Sequence, residues 1–131
     1  MLHPSVLING SWHYGLGPRF DKRNPSDDSL LWQSNEASAS DVALAVAAAR
    51  AAFPAWARTP LARRQAVLER FATLLQEQRE HLASVIAKET GKTHWEALTE
   101  VQSMVNKVAI SLQAHQERTG ERHSQIGRAH V

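Results

Sequence analysis

The chain has 131 residues, 43% apolar and 21% charged, with a formal net charge of +2 and no cysteine. That is the composition of an ordinary globular protein of single-domain size, and the missing cysteines exclude disulfides, thiolate metal centres and a cysteine nucleophile within these residues. Positive and negative side chains are interleaved along the chain, which argues against a nucleic-acid or anionic-membrane binder, and no apolar run approaches the roughly 18 residues of a membrane span.

The start, Met1-Leu2-His3-Pro4, has no basic stretch followed by an apolar one, so a secretory signal is not expected and a cytoplasmic protein is. Residues 1–35 form a first segment, rich in turn formers and holding Pro4, Pro18 and Pro25. Val6-Leu7-Ile8 reads as a strand that stops at Asn9-Gly10, a pair that tolerates positive φ and marks a hairpin, with Ser11-Trp12-His13-Tyr14 as the returning strand. Asn24-Pro25-Ser26-Asp27-Asp28 reads as a turn, and Leu30-Leu31-Trp32-Gln33 as a further short strand.

Residues 36–122 form a second segment, rich in Ala and Leu and favourable to helix. The first helix opens at Ser38 with Asp41 three residues on, a variant of the capping box. Its apolar positions are Val42, Val46, Ala49 and Phe53, and Pro54 is expected to end it. The second opens at Thr59 as N-cap with Pro60 in the first helical position, and its stripe is Leu61, Leu68, Phe71, Leu74 and Leu75. The third covers residues 80–90 with Leu82, Val85 and Ile86, and Gly91 stops it in the left-handed conformation. The fourth has a full capping box, Thr93 and Glu96, then the stripe Trp95, Leu98, Val101, Val105, Val108 and Leu112, with Gly120 as its stop.

Each feature that could carry chemistry has a plainer explanation. Gly91-Lys92-Thr93 resembles the end of a phosphate loop, but that loop needs a glycine five residues before Gly91, where Ile86 stands. A helix-stopping glycine and a surface lysine account for it. His3, His13, His81, His94, His115, His123 and His130 show no close pair at ligand spacing on one helix face, so no metal site is expected. Glu89, Glu96 and Glu100 read as solvated helix surface, with Glu96 a capping residue. Arg58, Arg63, Arg64 and Arg70 alternate with Glu69, Glu77 and Glu80 as a solvated face. Trp12, Trp32, Trp56 and Trp95 read as packing anchors. Composition and spacing alone thus describe a helical domain with a β-rich start and no site.

As a pattern the same residues say more. Ile8-Asn9-Gly10 followed by Trp12, Asn24-Pro25 after a basic residue, Ala47-Ala48-Ala49-Arg50-Ala51-Ala52-Phe53 with Trp56, Arg63-Arg64 with Leu68 and Phe71-Ala72, and Glu89-Thr90-Gly91-Lys92 resemble the aldehyde dehydrogenase superfamily over residues 7–122. Lys22-Arg23-Asn24-Pro25, Leu31-Trp32-Gln33, Trp95-Glu96-Ala97, Thr99-Glu100-Val101, Met104, Asn106-Lys107, Ala109-Ile110-Ser111 and Arg118-Thr119-Gly120-Glu121 are similar to the branch acting on a succinylated amino-acid semialdehyde in bacterial arginine breakdown.

The resemblance implies an α/β enzyme of which this chain is the amino-terminal part: a short β-rich start and about four helices fronting the NAD-binding domain. It implies NAD as cofactor, a small-molecule aldehyde as substrate, no nucleic-acid or membrane partner, and a homo-oligomeric full-length enzyme. In the family a cysteine thiolate attacks the aldehyde, hydride passes to NAD, and a glutamate activates the water that releases the acid. Those groups, the oxyanion Asn and the nucleotide site are expected beyond this chain, so no catalytic, cofactor-binding or metal residue is assigned within it. Met104 matches a family position near the substrate tunnel, though a core methionine on the helix stripe fits equally. Ser26 and Glu89 match positions near a monovalent-cation site of some relatives, while turn and cap roles fit them as well.

After Arg122 the pattern departs from the family. Ile126-Gly127-Arg128-Ala129-His130-Val131 is the translation of the start of a widely used sequencing adapter in one frame, so residues 123–131 are expected to be an adapter-derived tail. The expected function is therefore a dehydrogenase front part that is inactive by itself, with helical stripes left uncovered. The alternative is a stand-alone helical interaction module, which would unfold as a cooperative monomer.

Overall fold

The computed structural model describes residues 2–119, in which two antiparallel hairpins precede four helices. In the first hairpin β1 (Val6–Ile8) pairs with β2 (Ser11–His13). Asn9 and Gly10 both have positive φ, 49° and 78°, so the turn has the twist that matches right-handed strands.

The second hairpin was only half legible. β4 (Leu30–Asn35) contains the expected strand and extends it, and its partner is β3 (Arg19–Arg23), a strand the sequence did not announce. Its residues are Arg-Phe-Asp-Lys-Arg, with Phe20 the one apolar side chain. It is a strand because β4 pairs with it and Phe20 meets Trp32 edge-on at 5.3 Å. The expected turn joins them, closed by Asx bonds: Asn24 accepts from the Ser26 N–H (3.0 Å), and Asp27 from the N–H and hydroxyl of Ser29 (2.9 and 2.6 Å). The Ser29 hydroxyl, then its N–H, holds the Asp27 carboxyl below its ordinary range. The chain before β1 runs beside β4, with the His3 N–H donating to the Gln33 carbonyl and the Ser34 hydroxyl to that of His3.

Helix α1 (Ala39–Arg58) opens at the expected Ser38–Asp41 capping box. It does not end at Pro54, which lies inside it. Proline this close to a helix end costs one intrahelical hydrogen bond, and the flanking alanines favour continuation. Helix α2 (Leu61–Glu77) likewise corrects the expected start. Thr59 closes α1, its N–H donating to Trp56 and its hydroxyl to Ala55, and Pro60 is the N-cap of α2 without a side-chain cap. Helix α3 (Arg79–Thr90) ends at Gly91 with φ 74°, as expected. Helix α4 (His94–Arg118) opens at the Thr93–Glu96 box, where the Glu96 carboxylate accepts from the Thr93 N–H and hydroxyl at 3.1 and 2.8 Å. It closes at Thr119, and the expected stop at Gly120 lies outside the described residues, as does the tail at 123–131.

The core lies where α3 meets α4: Ala83, Ala97 and Val101 are fully buried, with Leu82, Ile86, Ala87 and Leu98 around them. Helix α2 packs on α4 and buries Leu75, while α1 packs on the β1–β2 hairpin. Little else apolar is covered. The stripes of α1 and α2 are exposed at Val42, Val46, Phe53, Leu61, Leu68, Phe71 and Leu74. The expectation of four anchoring tryptophans is corrected too: Trp12, Trp56 and Trp95 are 63%, 47% and 68% exposed, and only Trp32 is packed in. A stripe drawn from spacing alone identifies an apolar face but says nothing of what covers it.

Candidate functional site

The β3–β4 hairpin is fastened to the end of α3. The Trp32 indole N–H donates to Glu89 Oε1 at 2.7 Å, and the turn rests on Gly91, where a Cβ would lie 3.0 Å from Pro25 Cγ and 3.7 Å from Ser26 Oγ. Gly91 therefore answers two demands, a left-handed φ and the close approach of the turn. Ser26 and Glu89, expected near a cation site, are thus brought to the same junction. Glu89 is not the solvated surface residue the sequence suggested, because its carboxylate is held by an indole.

A second junction centres on Asp41. Its Oδ2 accepts from the Leu16 N–H (2.9 Å), the Ser38 N–H (2.8 Å) and the Ser38 hydroxyl (2.8 Å). These donors, the Leu16 N–H foremost, hold the Asp41 carboxyl below its ordinary range, with His13 adding a smaller pull. The side chain is buried. It fixes the loop that precedes β3 to the start of α1. At Gly15 and Gly17 that loop runs so close to the Glu36 carbonyl that a Cβ would overlap it.

All three residues of the Gly91-Lys92-Thr93 turn have partners within the chain. The Gly91 N–H goes to Ala87, the Lys92 ammonium to the Glu100 carboxylate, and the Thr93 N–H and hydroxyl to Glu96. Thr93 also holds the Glu96 carboxyl below its ordinary range, chiefly through its hydroxyl. Among the described residues no group of three or more His, Asp or Glu side chains could hold a metal ion, and no helix is long and apolar enough to cross a membrane. His94 pairs with Glu80 at 3.2 Å, and His123 and His130 lie outside the described residues. Met104 is 40% exposed on α4. Arg70 pairs with Glu77 at 3.2 Å, but Arg64 is half-buried with its Nε unpartnered, so the arginines are not one uniformly solvated face.

Neither junction announced itself. Trp32 and Glu89 stand 57 positions apart, and no local pattern links them. Ser38 and Asp41 were legible as a cap, whereas the Leu16 bond was not.

Comparison with known proteins gives the family. The sequence pattern of the aldehyde dehydrogenase family matches residues 12–131. The chain belongs to that family. It is 58% identical over 92% of its length to the N-succinylglutamate 5-semialdehyde dehydrogenase of Serratia proteamaculans, and 55% identical over 93% to the protein of that name from Salmonella heidelberg. It covers 24% and 25% of those two proteins, so it spans about a quarter of the relatives it matches. The crystal structure of an NAD-dependent benzaldehyde dehydrogenase from Corynebacterium glutamicum superposes with a TM-score of 0.83 at 36% identity, over 93% of this chain and 27% of that one. The aldehyde dehydrogenase-like fold, with its strand-rich start and four helices, is as the resemblance implied, and the similarity to the succinylglutamate branch holds.

Proposed function

We propose that this chain is the amino-terminal quarter of an NAD-dependent dehydrogenase that oxidises N-succinyl-L-glutamate 5-semialdehyde to N-succinyl-L-glutamate in arginine breakdown. The observation that carries it is the 58% identity to the Serratia enzyme along nearly the whole chain. In this reading the enzyme is a cytoplasmic homo-oligomer, with NAD accepting the hydride at a site built from other parts of the polypeptide. The family mechanism needs a cysteine thiolate, and these 131 residues hold none. The chain alone is therefore inactive, and its part is structural. The Trp32–Glu89 and Asp41 junctions hold the front hairpins in place, and Met104 stands on the outer side of α4, available to a tunnel wall completed by other residues.

The alternative of a free-standing helical module is disfavoured by burial. Among the described residues four apolar side chains are buried, Leu75, Ala83, Ala97 and Val101, while whole stripes of large ones face solvent. The test is to recover the gene with its flanking DNA, express the open reading frame, and assay NAD reduction with N-succinylglutamate 5-semialdehyde against benzaldehyde and betaine aldehyde. Preferential turnover of the succinylated substrate is expected from the whole reading frame and none from the 131-residue chain. A continuation without a catalytic cysteine, or a preference for another aldehyde, overturns the reading.

A further inference from the structure

The turn of the first hairpin carries a reactive pair of residues. Asn9 and Gly10 join β1 to β2, both are exposed, and both have positive φ. Asparagine is a thermolabile side chain. Among the described residues the Gly10 N–H donates to no backbone carbonyl, and a Cβ built on Gly10 would meet nothing within 4 Å. A backbone nitrogen that is uncommitted and unhindered can reach the side chain of the asparagine before it, and glycine crowds that approach least.

The other asparagines, Asn24, Asn35 and Asn106, lack this arrangement. Asn24 precedes Pro25, which has no N–H, and its Oδ1 is held by the Ser26 N–H. Asn35 donates to the Gly15 carbonyl at 3.0 Å, and the next N–H, that of Glu36, is committed to the Pro18 carbonyl at 2.8 Å. Asn106 lies within α4, where the Lys107 N–H belongs to the helix ladder.

We infer that Asn9 is a modification site at which this chain ages: its side-chain amide is lost through a cyclic imide formed with the Gly10 nitrogen, leaving isoaspartate as well as aspartate. The Gly10 nitrogen bonds to Asn9 Cγ, and the side-chain amino group leaves with the displaced proton as ammonia. Water then adds to one of the two imide carbonyls and breaks its bond to nitrogen. Opening at the side-chain carbonyl gives aspartate. Opening at the main-chain carbonyl gives isoaspartate, whose peptide bond runs through the former side chain. Nothing is oxidised or reduced, and water is the sole co-reactant.

The two products differ in what they do to the hairpin. A turn with positive φ at both Asn9 and Gly10 closes on the pairing of Ile8 with Ser11. Aspartate suits the same turn. Isoaspartate inserts an extra backbone carbon there, so β1 and β2 cannot keep their register. Because α1 packs against β1, that contact loosens with the hairpin.

The test incubates the purified 131-residue chain in warm, mildly alkaline buffer and follows its tryptic peptides by mass spectrometry. The peptide ending at Arg19 holds Asn9 as its one side-chain amide. It is expected to show the mass gain of an amide-to-acid exchange before the peptides holding Asn24, Asn35 and Asn106 do. It is also expected to accept methyl groups from an isoaspartyl methyltransferase supplied with labelled S-adenosylmethionine. Freshly prepared Asn9→Asp protein is expected to keep amide-exchange protection across β1 and β2, and the isoaspartate fraction to lose it. Loss at Asn35 or Asn106 as early as at Asn9 overturns the inference. So does an Asn9 amide that persists in the folded chain after it has been lost from a synthetic peptide of residues 1–19. Conversion to aspartate without isoaspartate overturns the imide route, and an isoaspartate fraction with full hairpin protection overturns the structural consequence.

Discussion

The indole N–H of Trp32 and the carboxylate of Glu89 meet at 2.7 Å across 57 positions of sequence, joining the second hairpin to the end of α3. Trp32→Phe keeps the ring against Phe20 and removes the donor. It is expected to destabilise the chain by roughly 1.5–3 kcal/mol, the range for a hydrogen bond to a charged group. Urea titration followed by circular dichroism measures it. A midpoint unchanged within error would mean the bond has an equal competitor in water.

Gly91 lies beside that bond, and its substitution tests the same junction from the backbone. Gly91→Ala places a Cβ on a residue at φ 74°, 3.0 Å from Pro25 Cγ. The left-handed conformation alone costs about 1–2 kcal/mol for a residue with a Cβ, and the crowding adds to it. Combined with Trp32→Phe, the loss is expected to be less than the sum, because both changes release the same hairpin. Additive losses in a double-mutant cycle would show that the two contacts act independently.

How much of this was legible beforehand follows range of interaction. The Asn9-Gly10 turn, the Ser38 and Thr93 caps and the Gly91 stop were readable, because each is decided by a few neighbouring residues. β3 was not, since Arg-Phe-Asp-Lys-Arg becomes a strand only through its pairing with β4. Pro54 misled because its usual effect on helices depends on how much helix follows, and only four residues do. The junctions at Trp32–Glu89 and Leu16–Asp41 are tertiary contacts with no local signature. The family was readable from residue identities where the site was not.

Asp41 gives a pH dependence with a definite sign. Its carboxyl is held below the ordinary 3.8 by the Leu16 N–H, the Ser38 N–H and the Ser38 hydroxyl, so the folded state binds its proton less readily than the unfolded state. Its stabilising contribution is complete above the ordinary value and is lost as pH falls through the lowered one. Asp27 and Glu96, also lowered, add terms of the same sign. Asp41→Asn is expected to lower the melting temperature at neutral pH and to make its decline on acidification shallower. Parallel melting curves for the two proteins across the acid range would rule out the linkage.

Burial separates two kinds of valine. Val101 is fully buried between α3 and α4, and Val46 and Val67 are more than half exposed on their stripes. Val101→Ala is expected to cost about 1.5–3 kcal/mol, the value of a fully buried valine side chain. Val46→Ser and Val67→Ser are expected to stay within about 0.5 kcal/mol, as surface substitutions do, and to reduce binding of a hydrophobic dye by the isolated chain. Denaturant titration and dye fluorescence measure both quantities on the same samples. Large stability losses at Val46 or Val67 would mean that these side chains are covered in solution, and that the stripes are packing within or between copies of this chain rather than standing open to a larger partner.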